Sequence, residues 1–314
     1  VSGQSGWYWG APQALILVNG QVVSGMDVNH RFIELTDCAD PTQEYEIAIH
    51  AFTDRFFYNG QIEMDMALRA VNPYVKKLFY DVRVPFDVAC YLPVDDIRRI
   101  DILEQLNTAL SMVDFRLSPG EAMDETLKRA LTYMEEEFYG KYCGQEDSTI
   151  TCVGHTHIDT AWLWTLDDTR KKVVRSFSTA LNLLDHYKGM RFMSSQPQLY
   201  QFLKEEYPEV YERIRDYVRE GRWEAEGAMW VEADTNIPSG ESLVRQVAYG
   251  KRFFRDEFGV DNKILWLPDV FGYSACLPQI LKKCGVDYFM TTKISWNEYN
   301  KFPYDTFKWR GLDG

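Results

Sequence analysis

The run Gly154-His155-Thr156-His157-Ile158-Asp159-Thr160-Ala161-Trp162-Leu163-Trp164-Thr165 follows directly on the apolar stretch Ile150-Thr151-Cys152-Val153. If that stretch is a strand, side chains two apart share one side, so His155, His157 and Asp159 project together where the strand ends. Neutral imidazole nitrogen and carboxylate oxygen are the ligands a zinc-like ion accepts. Four later segments end in comparable clusters: Ser194-Ser195-Gln196-Pro197, Trp230-Val231-Glu232-Ala233-Asp234, Trp266-Leu267-Pro268-Asp269-Val270-Phe271-Gly272-Tyr273-Ser274 and Lys293-Ile294-Ser295-Trp296-Asn297. Carboxylates ringed by aromatic faces suit a carbohydrate, since sugar C–H faces pack on Trp and Phe while the hydroxyls hydrogen-bond to acids and amides.

The elements that must position these groups are strands and helices in alternation. Strand-like segments fall near 150–154, 190–194, 222–228, 263–267 and 287–291, with helical stretches between them. One such stretch is Glu241 to Phe258, with Ser239 as N-cap and Gly259 as the C-terminal stop. Repeated β-then-α units predict a parallel sheet, open or closed into a barrel, whose reactive groups gather at the C-terminal strand ends. Phe307-Lys308-Trp309 would begin a sixth strand. A closed barrel of this kind takes roughly 250 residues, so residues 146–314 are expected to form only the first part of one.

Upstream the pattern is different. Ala14-Leu15-Ile16-Leu17-Val18 faces Gln21-Val22-Val23 across Asn19-Gly20, a dipeptide that tolerates the positive φ of a tight hairpin. Ile62, Met64, Met66 and Leu68 alternate with polar or small residues, as do Val82, Val84, Phe86 and Val88, and residues 1–93 are read as an all-β sandwich. Residues 94–145 read as a helical linker. Ile102, Leu106, Leu110 and Val113 recur at helical spacing, as do Met123, Leu127, Leu131, Met134 and Phe138. The polar stretch Gly144 to Ser148 marks the boundary.

Bulk properties narrow the function classes. With 34 Lys+Arg against 47 Asp+Glu the net charge is -13, which makes nucleic acid and anionic membrane poor partners. No apolar run approaches the roughly 20 residues that span a bilayer. Cys38, Cys90, Cys143, Cys152, Cys276 and Cys284 lack paired-knuckle spacing and read as free, buried thiols of a reducing compartment. The chain has no Asn-x-Ser/Thr acceptor, in keeping with a cytoplasmic location.

On its motifs from Gly154 to Trp162, Trp230 to Asp234, Trp266 to Ser274 and Lys293 to Asn297, the chain resembles the family 38 glycoside hydrolases, the α-mannosidases. Within them it is similar to the cytosolic class, which places a β domain and a helical linker before the catalytic barrel. The resemblance implies a multidomain fold ending in a truncated parallel (β/α) barrel of the seven-stranded type. It also implies a retaining, zinc-dependent hydrolysis of terminal α-linked mannose in oligosaccharides, with cobalt able to fill the same ligands. By the same resemblance His157, Asp159 and Asp269 are metal ligands, Asp269 is also the nucleophile, and Trp162 and Phe271 wall the mannose subsite. A fourth ligand, a histidine, and the general acid are expected beyond Gly314, so this chain alone is expected to be inactive. Assembly into homo-oligomers is compatible with this reading.

Bland readings stand beside these. Asp269 after Pro268 could cap a loop. Glu232 and Asp234 either hydrogen-bond sugar or hold neighbouring loops. His155 reads as support behind the ligands or as packing, Trp164, Trp223 and Trp266 as core, and His30, His50 and His186 as structural or solvated. Two other functions compete: a zinc hydrolase such as a polysaccharide deacetylase, whose usual later His-x-x-x-His is absent, and a non-catalytic sugar-binding fragment.

Overall fold

Asn19 (φ 50°) and Gly20 (φ 77°) both hold left-handed backbone, and the chain reverses there as a two-residue hairpin. Strand β1 (Gln13–Val18) pairs antiparallel with β2 (Gln21–Met26) and with β3 (Ile47–Phe52), giving the order β2-β1-β3. The computed structural model describes residues 13–52, 66–143 and 150–314. It divides into two units, one made of Val1–Ile62 with Cys152–Gly314 and the other of Glu63–Thr151.

In the first unit five short parallel strands follow one another: β4 (Gly154–His155), β5 (Phe192–Ser194), β6 (Trp223–Ala225), β7 (Ile264–Trp266) and β8 (Tyr288–Met290). Pairing runs β4-β5-β6 and β7-β8, and a bridge from Gly227 to Leu265 joins the two sets in sequential order. The connections are helices α4 (Leu166–His186), α5 (Pro197–Glu206), α6 (Pro208–Arg219), α7 (Gly240–Phe258) and α8 (Leu277–Lys283). α4 starts on a capping box in which the Thr165 hydroxyl accepts from the Asp168 amide and the Asp168 carboxylate accepts from the Thr165 amide. α7 begins at Ser239, whose Oγ accepts from the Ser242 amide, and stops at Gly259 with φ 72°, as its sequence predicts.

Parallel strands buried on both faces need apolar cover, and the helices supply it. Phe177 of α4, Tyr200 of α5, Trp223 of β6 and Phe254 of α7 are fully buried in one aromatic cluster. Leu15 and Val22 from the N-terminal sheet belong to the same core. The N-terminal strands therefore share a core with the parallel segment and are not a free-standing sandwich. Among the described residues this part has a single antiparallel sheet of three strands.

The second unit is helical, which overturns the strand assigned to Val82, Val84, Phe86 and Val88. Those residues lie in α1 (Pro73–Tyr91), which opens with Asn72 accepting from the Tyr74 and Val75 amides and with Pro73 in its first turn. Leu78, Val82, Pro85 and Ala89 form its core face at spacings of three and four, whereas Val84, Phe86 and Val88 remain exposed. Two periods overlapped in this stretch, and burial followed the helical one. Met66 and Leu68 are exposed and outside any strand, and Ile62 and Met64 lie outside the described residues, as does the boundary stretch 144–148. Helices α2 (Ile97–Ser111) and α3 (Glu121–Tyr133), the latter prolonged by a π-helical stretch Met134–Tyr142, bury Ile102, Leu106, Leu127, Leu131, Met134 and Phe138 as expected.

Two further expectations fail. Phe307-Lys308-Trp309 forms no strand, and Trp309 instead packs its ring against Phe289. The six cysteines are free, as read, but Cys38, Cys90, Cys143 and Cys152 are exposed and Cys276 and Cys284 half-buried. Cys90 shows why: it follows the fully buried Ala89 by one helical position, about 100° round the axis and out of the core face.

Candidate metal centre

The first strand is shorter than its apolar lead suggests. Ile150 and Val153 are exposed, and only Gly154 and His155 pair with β5. His155 turns into the structure, where its Nδ1 donates to the Met193 carbonyl at 3.0 Å and its ring meets Trp266 edge-on at 5.1 Å. Burial pushes its pKa down, so it is held neutral with the proton on Nδ1. It is no part of the ligand set, in agreement with its reading as support or packing.

His157 and Asp159 sit just past that strand end, and Asp269 arrives from the end of β7. His157 Nε2 lies 3.3 Å from Asp159 Oδ1 and 3.3 Å from Asp269 Oδ2. One donor atom from each of the three falls within 4.8 Å of the others. Ligands bound tetrahedrally at about 2.0–2.1 Å stand about 3.3–3.4 Å apart, so the two His157–carboxylate distances are compatible with a bound metal ion. His157 keeps 30% of its side chain exposed and Asp269 41%, which leaves an approach for substrate.

The loop bearing Asp269 is held from two sides. The Pro268 carbonyl accepts from the amides of Thr292 (2.8 Å) and Lys293 (3.1 Å) and from the Thr292 hydroxyl (2.8 Å), at the end of β8. Thr235, buried after β6, donates its hydroxyl to the Gly272 carbonyl at 2.9 Å and accepts from the Ser274 amide at 3.2 Å. Backbone groups pinned before and after the acid restrict its position in the way a ligand or nucleophile requires.

Glu232 and Asp234, two residues apart, have separate surroundings. Asp234 Oδ1 accepts from the amides of Asn236 (2.8 Å) and Ile237 (2.9 Å), which braces its own loop. Glu232 is turned inward with 6% exposure, its Oε2 3.1 Å from His157 Nδ1 and its Oε1 accepting from the Ser195 hydroxyl at 2.5 Å. Burial alone would lower the His157 pKa, but the hydrogen bond to Asp159, the Glu232 carboxylate close to Nδ1 and the charge of Asp269 push it up to about 10. Three carboxylates around one imidazole make a site that demands positive charge.

Ser195 and Gln196 carry weight that their place in the sequence did not assign. Gln196, buried and in left-handed backbone at φ 64°, donates to the Ile158 carbonyl at 2.8 Å and accepts from Thr160 Oγ1 at 2.9 Å and from the Glu232 amide at 3.3 Å. One side chain thus ties together three strand ends. Gly227 (φ 138°) lets Ser195 reach Glu232, because a Cβ there would come 2.7 Å from Cβ of Ser195. A cavity of about 170 Å³ opens beside them, lined by Asp159, Thr160, Ala161, Gln196, Val231 and Glu232. Trp162 and Phe271 stand exposed, and Lys293 lies over the Phe271 ring at 4.5 Å.

A model of the glycosyl hydrolases family 38 N-terminal domain matches residues 147–314. The chain belongs to glycosyl hydrolases family 38. Alpha-mannosidase G of Dictyostelium discoideum is 39% identical over 247 residues, which cover 79% of this chain and 22% of that protein. Alpha-mannosidase 2C1 of Homo sapiens is 41% identical over 240 residues, covering 76% and 22%, and an alpha-mannosidase of Saccharomyces cerevisiae is 38% identical over 275 residues, covering 83% and 24%. This family 38 chain therefore spans less than a quarter of the length of these curated relatives. The matched segment contains every residue of the centre, from His157 to Asp269.

Proposed function

We propose that this chain carries the metal-binding and nucleophilic part of a retaining, zinc-dependent α-mannosidase that removes terminal α-linked mannose from oligosaccharides. The observation that carries the reading is the convergence of His157 Nε2, Asp159 and Asp269 within 4.8 Å at the ends of parallel strands, in a chain whose relatives are named alpha-mannosidases. His157, Asp159 and Asp269 would hold zinc or cobalt, which would supply Lewis-acid stabilisation of the sugar. Asp269, ionised beside a cation, attacks the anomeric carbon as the leaving oxygen departs, and water later hydrolyses the glycosyl ester. Trp162 and Phe271 offer the aromatic faces on which the pyranose packs.

Neither Glu232, which is enclosed, nor Asp234, which is committed to its loop, is assigned as the acid that protonates the leaving oxygen. A cytoplasmic location is supported by six free cysteines. No helix among the described residues is long and apolar enough to cross a membrane.

The test uses the full-length protein and a fluorinated, mechanism-based mannosyl reagent. Label on the peptide from Trp266 to Tyr273, with product of retained configuration and activity lost on chelation, is the expected result. Label elsewhere, or inversion, would sink the assignment.

A further inference from the structure

The two nitrogens of His157 face different partners. Nε2 points to Asp159 and Asp269, at 3.3 Å each, and Nδ1 lies 3.1 Å from Glu232 Oε2. A histidine ligand works only as the tautomer whose lone pair faces the ion, and an acceptor at the far nitrogen selects that tautomer, fixes the ring and raises its basicity. Glu232 Oε2, buried and without a hydrogen-bond partner of its own, lies close enough to become that acceptor on a small turn of the imidazole. The Glu232 side chain is 6% exposed, its other oxygen accepts from Ser195 Oγ at 2.5 Å, and its amide is held by Gln196 Oε1 at 3.3 Å. Its carboxylate is turned away from solvent toward Ser195 and His157, although the residue borders the cavity.

We propose that Glu232 is a positioning residue for the ligand His157, itself oriented by Ser195, and does not bind substrate. The chain of contacts runs Ser195 hydroxyl to Glu232 carboxylate to His157 Nδ1, and crosses from the end of β5 through the loop after β6 to the loop after β4. Ser195 can occupy its place because Gly227 presents no Cβ to it. The inference rests on the metal reading above and deepens it: the affinity of the centre is set by a residue that never touches the ion.

The test measures zinc affinity of the full-length protein by competition with a chromophoric chelator, and kcat and KM for an aryl α-mannoside at saturating zinc. Glu232→Ala should weaken zinc by about 10- to 100-fold, with KM at saturating zinc changed less than twofold. Glu232→Gln, which keeps the shape and a neutral acceptor, should weaken it less. Ser195→Ala should show a smaller loss that disappears in the Glu232→Ala background, because its effect passes through Glu232. Wild-type zinc affinity in Glu232→Ala, or a tenfold rise in KM with affinity unchanged, would overturn the inference while leaving the metal centre intact. A wild-type protein that binds no zinc would overturn the centre and this inference together.

Discussion

Replacing Gln196 by Leu should damage both folding and the metal centre, and the size of each effect follows from what the side chain holds. Gln196 is 3% exposed and its partner Ile158 is 4% exposed, whereas Thr160 and Glu232 are only partly buried. Leu has a similar volume and would sit at the same φ of 64°, so neither a cavity nor new backbone strain enters the comparison. What changes is the bonding. The carbonyl of the buried Ile158 loses a 2.8 Å donor, Thr160 Oγ1 loses a 2.9 Å acceptor, and the Glu232 amide loses a longer one at 3.3 Å. A buried polar group left without a partner costs about 1–3 kcal/mol. The Thr160 hydroxyl can rotate toward water and the Glu232 bond is weak, so the total should be about 2–4 kcal/mol. Because the lost bonds flank Asp159 and Glu232, zinc affinity should fall about tenfold as well. Urea unfolding followed by tryptophan fluorescence reports the first effect, since Trp223 is fully buried in the same unit, and chelator competition reports the second. Loss of less than about 0.5 kcal/mol, the usual scatter of a surface substitution, would refute the idea that Gln196 ties the strand ends together.

Trp162→Ala and Phe271→Ala change side chains that are 53% and 85% exposed, so melting temperature should hold while KM for an aryl α-mannoside rises by roughly tenfold, the loss of one aromatic stacking contact; unchanged KM would remove these residues from the subsite. His157→Ala, Asp159→Ala and Asp269→Ala should each lose zinc and activity together, whereas His155→Ala, outside the ligand set, should retain most of its metal by atomic absorption; full zinc in Asp159→Ala would contradict the centre. Asp27 supplies a pH test. Burial raises its pKa, but the Asn29 amide, His30 and Arg175 outweigh that and hold it below the ordinary carboxylate value. Its contribution, about 1 kcal/mol, is therefore present above the unfolded pKa of about 3.9 and lost as pH falls through the lower folded value. The stability gap between wild type and Asp27→Asn, read from urea midpoints, should shrink as pH drops from 5 toward 3; a gap that stays constant would show that the carboxylate is not the source.

The parts legible in the sequence were those written in contiguous residues. Four of the five parallel strands fall inside the segments that their apolar runs predict, and α7 begins and ends at the residues whose chemistry caps it. The convergence of His157, Asp159 and Asp269 was anticipated as well, the first two from one motif and Asp269 only through the family resemblance. The failures have two physical sources. In α1 the spacing of Val82, Val84, Phe86 and Val88 matched a strand, while the spacing of Leu78, Val82, Pro85 and Ala89 matched a helix, and only packing against α2 and α3 could choose between them. Around the centre the missing information was pairwise. Glu232 and Asp234 look equivalent in their pentapeptide, yet Glu232 meets a hydroxyl from Ser195, 37 positions away, and Asp234 meets amides only two and three positions on. The role of an acid at a strand end is decided by which neighbouring strand end lies beside it. That adjacency comes from the parallel order β4-β5-β6, with β7 joined through Gly227, so the long-range partners of the site become visible only when the sheet is in place.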